Sequence, residues 1–350
     1  MCARVAVAMS GGVDSSAAAL LLGQAGHDLL GLTMELFGSS GTEAEDARAV
    51  AARLGFPHQV CDLSQTFRSC VMDPFAAAYE AGQTPNPCIQ CNRCLKFGAL
   101  LDRARALGCE KLATGHYVRL DVDPGSGRWL LKKALHPEKD QSYVLYTLTQ
   151  DQLSAALFPL GGLSKEEIRA IATEAGLVNA KKRDSQDICF IPDGDYSAFL
   201  RRHTGHSYLP GPFLDQQGNR LGTHTGIVDY TVGQRRGLGV SSDQGRLYVK
   251  EVRPADNAVV LSDNAALFAR TLTAGQPNFI PFDRLDAPLH LRAKIRYRMA
   301  EQPCTVDQTG PDTLRVTFDQ PQRAITPGQA VVFYDGDCVV GGATISKGEP

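Results

Sequence analysis

The stretch that decides the fold is Arg4–Gly26, "RVAVAMSGGVDSSAAALLLGQAG". Its first six residues, RVAVAM, are apolar and partly β-branched, the pattern of a buried strand. A glycine turn follows, then an alanine- and leucine-rich run, Ser15–Gly26, that reads as a helix. Strand, glycine turn and helix N-terminus in that order make an anion site. The glycines let backbone N–H groups converge, and the helix dipole favours a phosphate. The loop itself, Ser10–Ser16 or SGGVDSS, is not a Walker A loop, which needs Gly-Lys-Ser/Thr, and it lacks the G-x-G-x-x-G pattern.

The same alternation continues outward. LLGLTMEL and HQVCDL read as further strands, KLATGHYVRL as a later one, and TEAEDARAVAARLG as a helix with Thr42 and Gly55 at its ends. LSKEEIRAIATEAGL reads as another helix, capped by Ser164 and ended by Gly176. Strands separated by helices of this length predict an α/β, doubly wound parallel sheet. Asp123–Gly127, DPGSG, predicts a hairpin between YVRLDV and RWLLKKA. From about Thr204 glycine and proline become frequent and short alternating segments take over, among them LYVKEV, LRAKIRYR and QAVVFYD. These predict two small β-rich domains, giving units at 1–203, 204–270 and 271–350, the last a β-barrel.

At 350 residues, with 43% hydrophobic and 21% charged residues, the chain has ordinary globular composition and room for two or three cores. No apolar run approaches the roughly 18 residues that span a bilayer, and the opening MCARVAVAMSGG is cut short by glycine. The expectation is a cytoplasmic protein with no membrane partner. Ten cysteines in such a chain are expected to be reduced thiols rather than disulfides. A net charge of −2 gives no global attraction to a polyanion, so any basic surface must be local: Lys132–Lys133, Lys181–Arg183, Arg201–Arg202, Arg235–Arg236 or RAKIRYR.

Thr84–Phe97, TPNPCIQCNRCLKF, carries Cys88, Cys91 and Cys94 at a repeated two-residue gap. Spacing alone leaves three uses open: a structural zinc knuckle, an iron–sulfur ligand set, or working thiols. Cys189 follows Lys181, Lys182 and Arg183, which predicts a thiol with a lowered pKa. Cys2, Cys61, Cys70, Cys109, Cys304 and Cys338 are expected to be small buried hydrophobes.

Ser-Gly-Gly-x-Asp-Ser on the first strand–helix turn resembles the PP-loop ATP pyrophosphatases, nucleotide hydrolase folds that adenylate a substrate oxygen and release pyrophosphate. The ordered set MSGGVDSS, TPNPCIQCN…KFG, ATGHY, KDQSYVLYTL, DSQDICFI, GQRRGLG and TPGQAVVFYDG resembles the tRNA-specific 2-thiouridylase family from one end of the chain to the other. The resemblance implies ATP with Mg2+ and replacement of the wobble-uridine O2 of tRNA by sulfur. Ala8, Met9, Ser10, Gly11, Gly12, Val13, Asp14, Ser15 and Ser16, with Met34 and Gly115, would hold the nucleotide, Asp14 near magnesium. Cys189 would carry a persulfide delivered by a sulfur relay protein or cysteine desulfurase. Cys91 would resolve it by releasing sulfide or by forming a disulfide with Cys189.

By the same resemblance Asn86, Pro87 and Cys88 would face the flipped base. His116, Lys139, Asp140, Gln141, Arg296, Tyr297 and Gln329 would touch the anticodon loop of tRNA. Many family members carry aspartate where this chain has Cys88, and the motif does not require Cys94. That leaves an alternative in which Cys88, Cys91 and Cys189 ligate a [4Fe–4S] cluster. The rivals are a PP-loop enzyme of nitrogen transfer, indifferent to Cys189, and a non-catalytic, zinc-stabilised module binding ATP and RNA.

Overall fold

The structure, a computed structural model, describes residues 4–37, 42–180, 182, 188–240 and 245–349. The first half runs β1 (Arg4–Ala8), α1 (Val13–Gln24), β2 (Asp28–Glu35), α2 (Thr42–Leu54), β3 (His58–Asp62) and, after a helical stretch, β4 (Lys111–Ala113). Two more strands, β5 (Val118–Val122) and β6 (Trp129–Lys133), precede β7 (Ala156–Leu157). The first sheet has the order β3-β2-β1-β4-β7 with every pair parallel. Val5, Ala6 and Val7 are fully buried, because β1 lies mid-sheet and is covered on both faces. Ala17, Ala18 and Ala19 of α1 are equally buried, which explains the small residues there. The chain steps outward from β1 to β3, then returns to β4 on the other side. The crevice at the carboxyl ends of β1 and β4 is therefore the switch point of the sheet, where ligands of such folds sit.

KLATGHYVRL does not form the single strand expected of it. It divides into β4 and β5, which belong to different sheets. The break has a cause in Tyr117: its hydroxyl turns to Asp14 and its N–H to the Gln141 side chain, so the chain leaves the ladder after Thr114, whose N–H still donates to the Leu157 carbonyl. The β5–β6 hairpin around 123–127 forms as expected.

Six strands close the C-terminal barrel in the order Phe268–Phe279, Thr313–Arg323, Gln302–Gly310, Leu289–Lys294, Ala330–Asp335 and Cys338–Glu349, the last pairing back to the first. The β5–β6 hairpin joins this wall where Lys132 meets Cys338. Tyr143 Oη donates to the Ala330 carbonyl at 2.8 Å, and Asn278 Nδ2 donates to the Tyr146 carbonyl at 2.6 Å, so KDQSYVLYTL is the seam between sheet and barrel. Between them lies a four-stranded sheet of Tyr248–Arg253, Ala258–Ser262, Gly211–Leu214 and Arg220–His224.

The helix Tyr196–Thr204 was not foreseen. It is short and buries only Phe199 and Leu200, too little for a clear periodicity, yet Asp195 caps it and Gly205 ends it at φ +71°. Among the described residues no helix is long and apolar enough to cross a membrane.

Candidate active site

The glycine loop is shaped to present N–H groups. Gly11 takes φ +67°, and a Cβ there would stand 2.5 Å from the Glu43 carbonyl oxygen, so only glycine fits. Gly12 precedes α1, and among the described residues no side chain caps the first-turn N–H groups. The hydroxyls of Ser15 and Ser16 turn back to the Gly12 carbonyl, at 3.1 and 3.0 Å, and Ser15 Oγ accepts the Ser10 N–H. The acceptors near the turn are thus tied off while donors remain, which fits a triphosphate. Ala8 ends β1 and Met9 follows it, and Met9 and Val13 are buried in the core.

Two residues that local pattern did not reveal complete this cradle. Asn179 Nδ2 donates to the Gly11 carbonyl at 3.0 Å and to Ser16 Oγ at 2.8 Å. Lys165 Nζ donates to both carboxylate oxygens of Asp14, at 2.7 and 2.9 Å, and Tyr117 Oη donates to the same carboxylate at 2.6 Å. The loop lacks the P-loop lysine, and the fold brings a buried lysine to it from the next layer. Asp14 would be the carboxylate nearest to a magnesium ion, but here it is already neutralised by Lys165. The residues fit the phosphates well; a metal would bind Asp14 only in exchange for that lysine.

The thiol side of the site begins at the TPNP turn. The barrel pins that turn: Gln329 Nε2 donates to the Thr84 carbonyl at 2.7 Å, and Thr84 N–H donates to Pro327. Asn86 caps the helical segment from Pro87, its Oδ1 accepting the Cys88 N–H at 3.1 Å; Pro87 is buried and Cys88 exposed. The helix continues through wide π-type turns from Cys91 to Leu100, with a kink at Gly98. Cys88, Cys91 and Cys94 therefore lie along one helical stretch and form no zinc knuckle.

Cys189 comes to the same place from the other side. Cys88 and Cys189 are exposed, yet burial within surrounding protein is the largest influence on each thiol, so they line a recess. Cys189 is pushed up to about 12 by that burial and by the nearby Cys91 and Cys88. This reverses the expectation of a lowered pKa. Lys181 and Arg183 lie outside the described residues, and Lys182 is paired with Asp46 at 2.8 Å. Burial also raises Cys88 and Cys91.

One cation opposes the rise at all three thiols, Lys96. Its Nζ lies 3.5 Å from His116 Nε2, and His116 Nδ1 lies 2.7 Å from Thr114 Oγ1. Burial holds His116 well below its ordinary pKa, so the ring is neutral. With Nε2 accepting from the ammonium, Nδ1 carries the proton and donates to Thr114. Gly115, the preceding residue, sits against the phosphate loop: a Cβ there would be 2.9 Å from Asp14 C and Ser15 N. Two consecutive residues thus touch the nucleotide cradle and the cation of the thiols. Met34, at the end of β2, packs against the cluster that also holds Cys91.

Among the described residues no three His, Cys, Asp or Glu side chains are gathered to hold a metal ion. The thiols of Cys88, Cys91 and Cys189 are neighbours, but among the described residues they are not gathered as a metal-binding group. Cys61, Cys109 and Cys304 are core residues, whereas Cys70 and Cys338 are half-buried and Cys2 lies outside the described residues.

The residues expected at tRNA all have structural partners. Asp140 accepts from Ala134 N–H and Ser142 Oγ, Gln141 accepts from Tyr117 N–H, and Tyr297 Oη donates to the Asp140 carbonyl. Lys139 sits in the same turn, 137–139. Arg296 donates to Val232 O, Ala324 O and Thr326 Oγ1, bracing the middle domain on the barrel. Most basic clusters are likewise paired: Lys132 with Asp121, Lys133 with Glu301, Arg201 with Asp229.

Comparison with known proteins agrees with this layout. Residues 3–193 match the tRNA methyl transferase HUP domain, 197–263 the tRNA methyl transferase PRC-barrel domain and 269–345 the aminomethyltransferase beta-barrel domain. A tRNA-specific 2-thiouridylase MnmA of Clostridioides difficile is 45% identical over 98% of both chains. Another, of Caldanaerobacter subterraneus, is 48% identical over 98% of both. The chain belongs to the tRNA-specific 2-thiouridylase MnmA family. A solved Methanocaldococcus jannaschii structure, titled a predicted subunit of tRNA methyltransferase, covers 49% of this chain and 76% of its own at 22% identity and TM-score 0.32. In this MnmA-family chain, Lys96, Lys165 and Asn179 join the residues that the sequence motifs pointed to.

Proposed function

We propose that the protein is a tRNA-uridine 2-sulfurtransferase acting in the cytoplasm, with units at 1–203, 204–270 and 271–350. What supports this reading is the step from Gly115 to His116: one residue lies against the phosphate loop, the next against the cation shared by the thiols. An activated oxygen and a sulfur nucleophile can therefore meet in one crevice.

ATP is the first substrate, its phosphates on the N–H groups of 10–16 and its neighbours Met34 and Gly115. Magnesium, when bound, would screen the phosphate charge beside Asp14. The wobble uracil, flipped out of the anticodon loop, enters beside Asn86, Pro87 and Cys88. Unstacking it costs a few kcal/mol, least in a single-stranded loop. Its O2 attacks the α-phosphorus and pyrophosphate leaves. His116, Lys139, Asp140, Gln141, Arg296, Tyr297 and Gln329 shape the tRNA-facing rim.

Sulfur arrives on Cys189 as a persulfide from a relay protein or cysteine desulfurase. The Cys91 thiolate attacks Cys189 Sγ, a Cys91–Cys189 disulfide forms, and hydrosulfide leaves. Hydrosulfide adds to C2 of the uracil and AMP departs, leaving 2-thiouridine. Lys96 holds the anionic sulfur at each stage. No step needs a cluster or an ammonia source.

Nucleoside analysis of tRNA incubated with ATP, magnesium and a persulfide donor tests this. The expected product is 2-thiouridine, lost in Cys189→Ser while ATP and tRNA still bind. Full thiolation by Cys189→Ser would refute the assignment.

A further inference from the structure

The thiols of this site do not end at Cys91. Cys94, three residues further along the same helical stretch, donates its thiol to Gln90 Oε1 at 3.7 Å and lies near enough to Cys70 to feel that thiol. Cys70 lies on the neighbouring helical segment Arg68–Met72, and it packs with Cys91 against the buried trio Phe67, Val71 and Leu95. Cys94 also feels Cys91, while Cys189 feels Cys91 and Cys88. Cys189, Cys88, Cys91, Cys94 and Cys70 thus share one neighbourhood. Cys91 and Cys94 are three residues apart on that stretch of wide turns, and Cys91 is among the groups that act on the Cys94 thiol. Both Cys70 and Cys94 are half-exposed free thiols.

We propose that Cys94 and Cys70 are a second dithiol, which takes over the disulfide left on Cys91 and Cys189 and so renews the sulfur site. The inference rests on the sulfur transfer proposed above. Deprotonated Cys94 attacks Cys91 Sγ, the Cys91–Cys189 bond breaks and Cys189 leaves as thiolate. Deprotonated Cys70 then attacks Cys94 Sγ in the Cys91–Cys94 bond, releasing the Cys91 thiolate. The two protons lost by Cys94 and Cys70 are regained by Cys189 and Cys91, and no electrons enter or leave. A dithiol reductant from solution afterwards reduces Cys70–Cys94. The role accounts for both Cys94, which no motif requires, and its partner Cys70.

The test uses the full chain, reduced and freed of thiol, given tRNA, ATP, magnesium and one equivalent of persulfide donor, then acid-quenched, alkylated and mapped by peptide mass spectrometry. Wild type is expected to carry a Cys70–Cys94 link. Cys94→Ser is expected to retain Cys91–Cys189 and Cys70→Ser to stop at Cys91–Cys94 in exchange with Cys91–Cys189, each slowing repeated turnover at limiting reductant by about tenfold, the exchange partner being lost. A wild-type protein that keeps Cys91–Cys189 with Cys70 and Cys94 both alkylated overturns the proposal, and this measurement needs no variant to fold. Repeated turnover of Cys94→Ser at the wild-type rate overturns it too. If Cys94→Ser holds no Cys91–Cys189 link and Cys189→Ser still thiolates, the sulfur-transfer reading itself falls and takes this one with it.

Discussion

Lys165 Nζ lies 2.7 and 2.9 Å from the two carboxylate oxygens of Asp14, and the lysine is only 5% exposed. Lys165 opens its helix, right after the Ser164 cap, where a cation opposes the helix dipole. Helix stability does not explain it there; the charge serves Asp14 and the phosphate loop. Lys165→Met is expected to lower stability by about 2 kcal/mol, below the usual cost of breaking a buried pair because Asp14 is partly open to solvent. It should also weaken ATP binding at least about tenfold, since a charged partner near the phosphates is lost. Asp14→Asn with Lys165→Met should recover stability but not ATP affinity. Thermal unfolding and calorimetric titration with ATP check both arms; undiminished ATP affinity in Lys165→Met would remove the lysine from the nucleotide site.

The thiol pKa directions give a pH dependence. Burial raises Cys91, and Cys189 is pushed up to about 12, so both are protonated at neutral pH and thiolate grows with pH. Alkylation of each is expected to climb about tenfold per pH unit between about pH 7 and 9 with no plateau. Lys96 opposes the rise, so Lys96→Met should leave less thiolate and slow alkylation severalfold at a given pH, while Lys96→Arg keeps most of the rate. Iodoacetamide kinetics read by peptide mass spectrometry would decide; a plateau below pH 8 for wild type contradicts the assigned directions.

The contrast between these residues shows what a sequence makes visible. Ser10, Gly11, Gly12 and Asp14 are legible because strand, turn and helix follow one another along the chain, and the glycine demand is local. Lys165 and Asn179 are not, because their partners stand more than a hundred residues earlier and arrive through packing of the helix layer. Cys189 was legible as a thiol and illegible in its sign: flanking cations are visible in a sequence, whereas burial and two facing thiols are not. KLATGHYVRL misled for the same reason, its apolar run hiding the tertiary pull on Tyr117. His116 was visible as a motif residue, but its tautomer depends on Lys96 and Thr114.

Gly115 tests the contact between the phosphate loop and the strand-end turn. A Cβ there would be 2.9 Å from two backbone atoms at the start of α1, and backbone cannot step aside as a flexible side chain does. Gly115→Ala is expected to cost about 1–3 kcal/mol as overpacking. Because the atoms displaced belong to Asp14 and Ser15, ATP binding should fall more than tRNA binding. Paired titrations with ATP and with tRNA read this; equal losses in both would mean general unfolding rather than a displaced loop.

Arg296 separates a brace from a contact with RNA. Its Nη2 group donates to Val232 O at 3.2 Å, Ala324 O at 3.1 Å and Thr326 Oγ1 at 2.7 Å, joining the middle domain to the barrel. Burial is the main influence lowering its pKa, as for a cation drawn out of water and paid back by those acceptors. Arg296→Ala should therefore lower stability by about 2 kcal/mol in the absence of RNA, the loss expected for a charged group with several hydrogen bonds. A phosphate contact would reduce the slope of log affinity against log salt by about one when removed. The geometry favours the brace, so tRNA affinity should fall with its salt slope unchanged. Filter binding across a salt series measures the slope, and a drop of about one without loss of melting temperature would return Arg296 to the RNA surface.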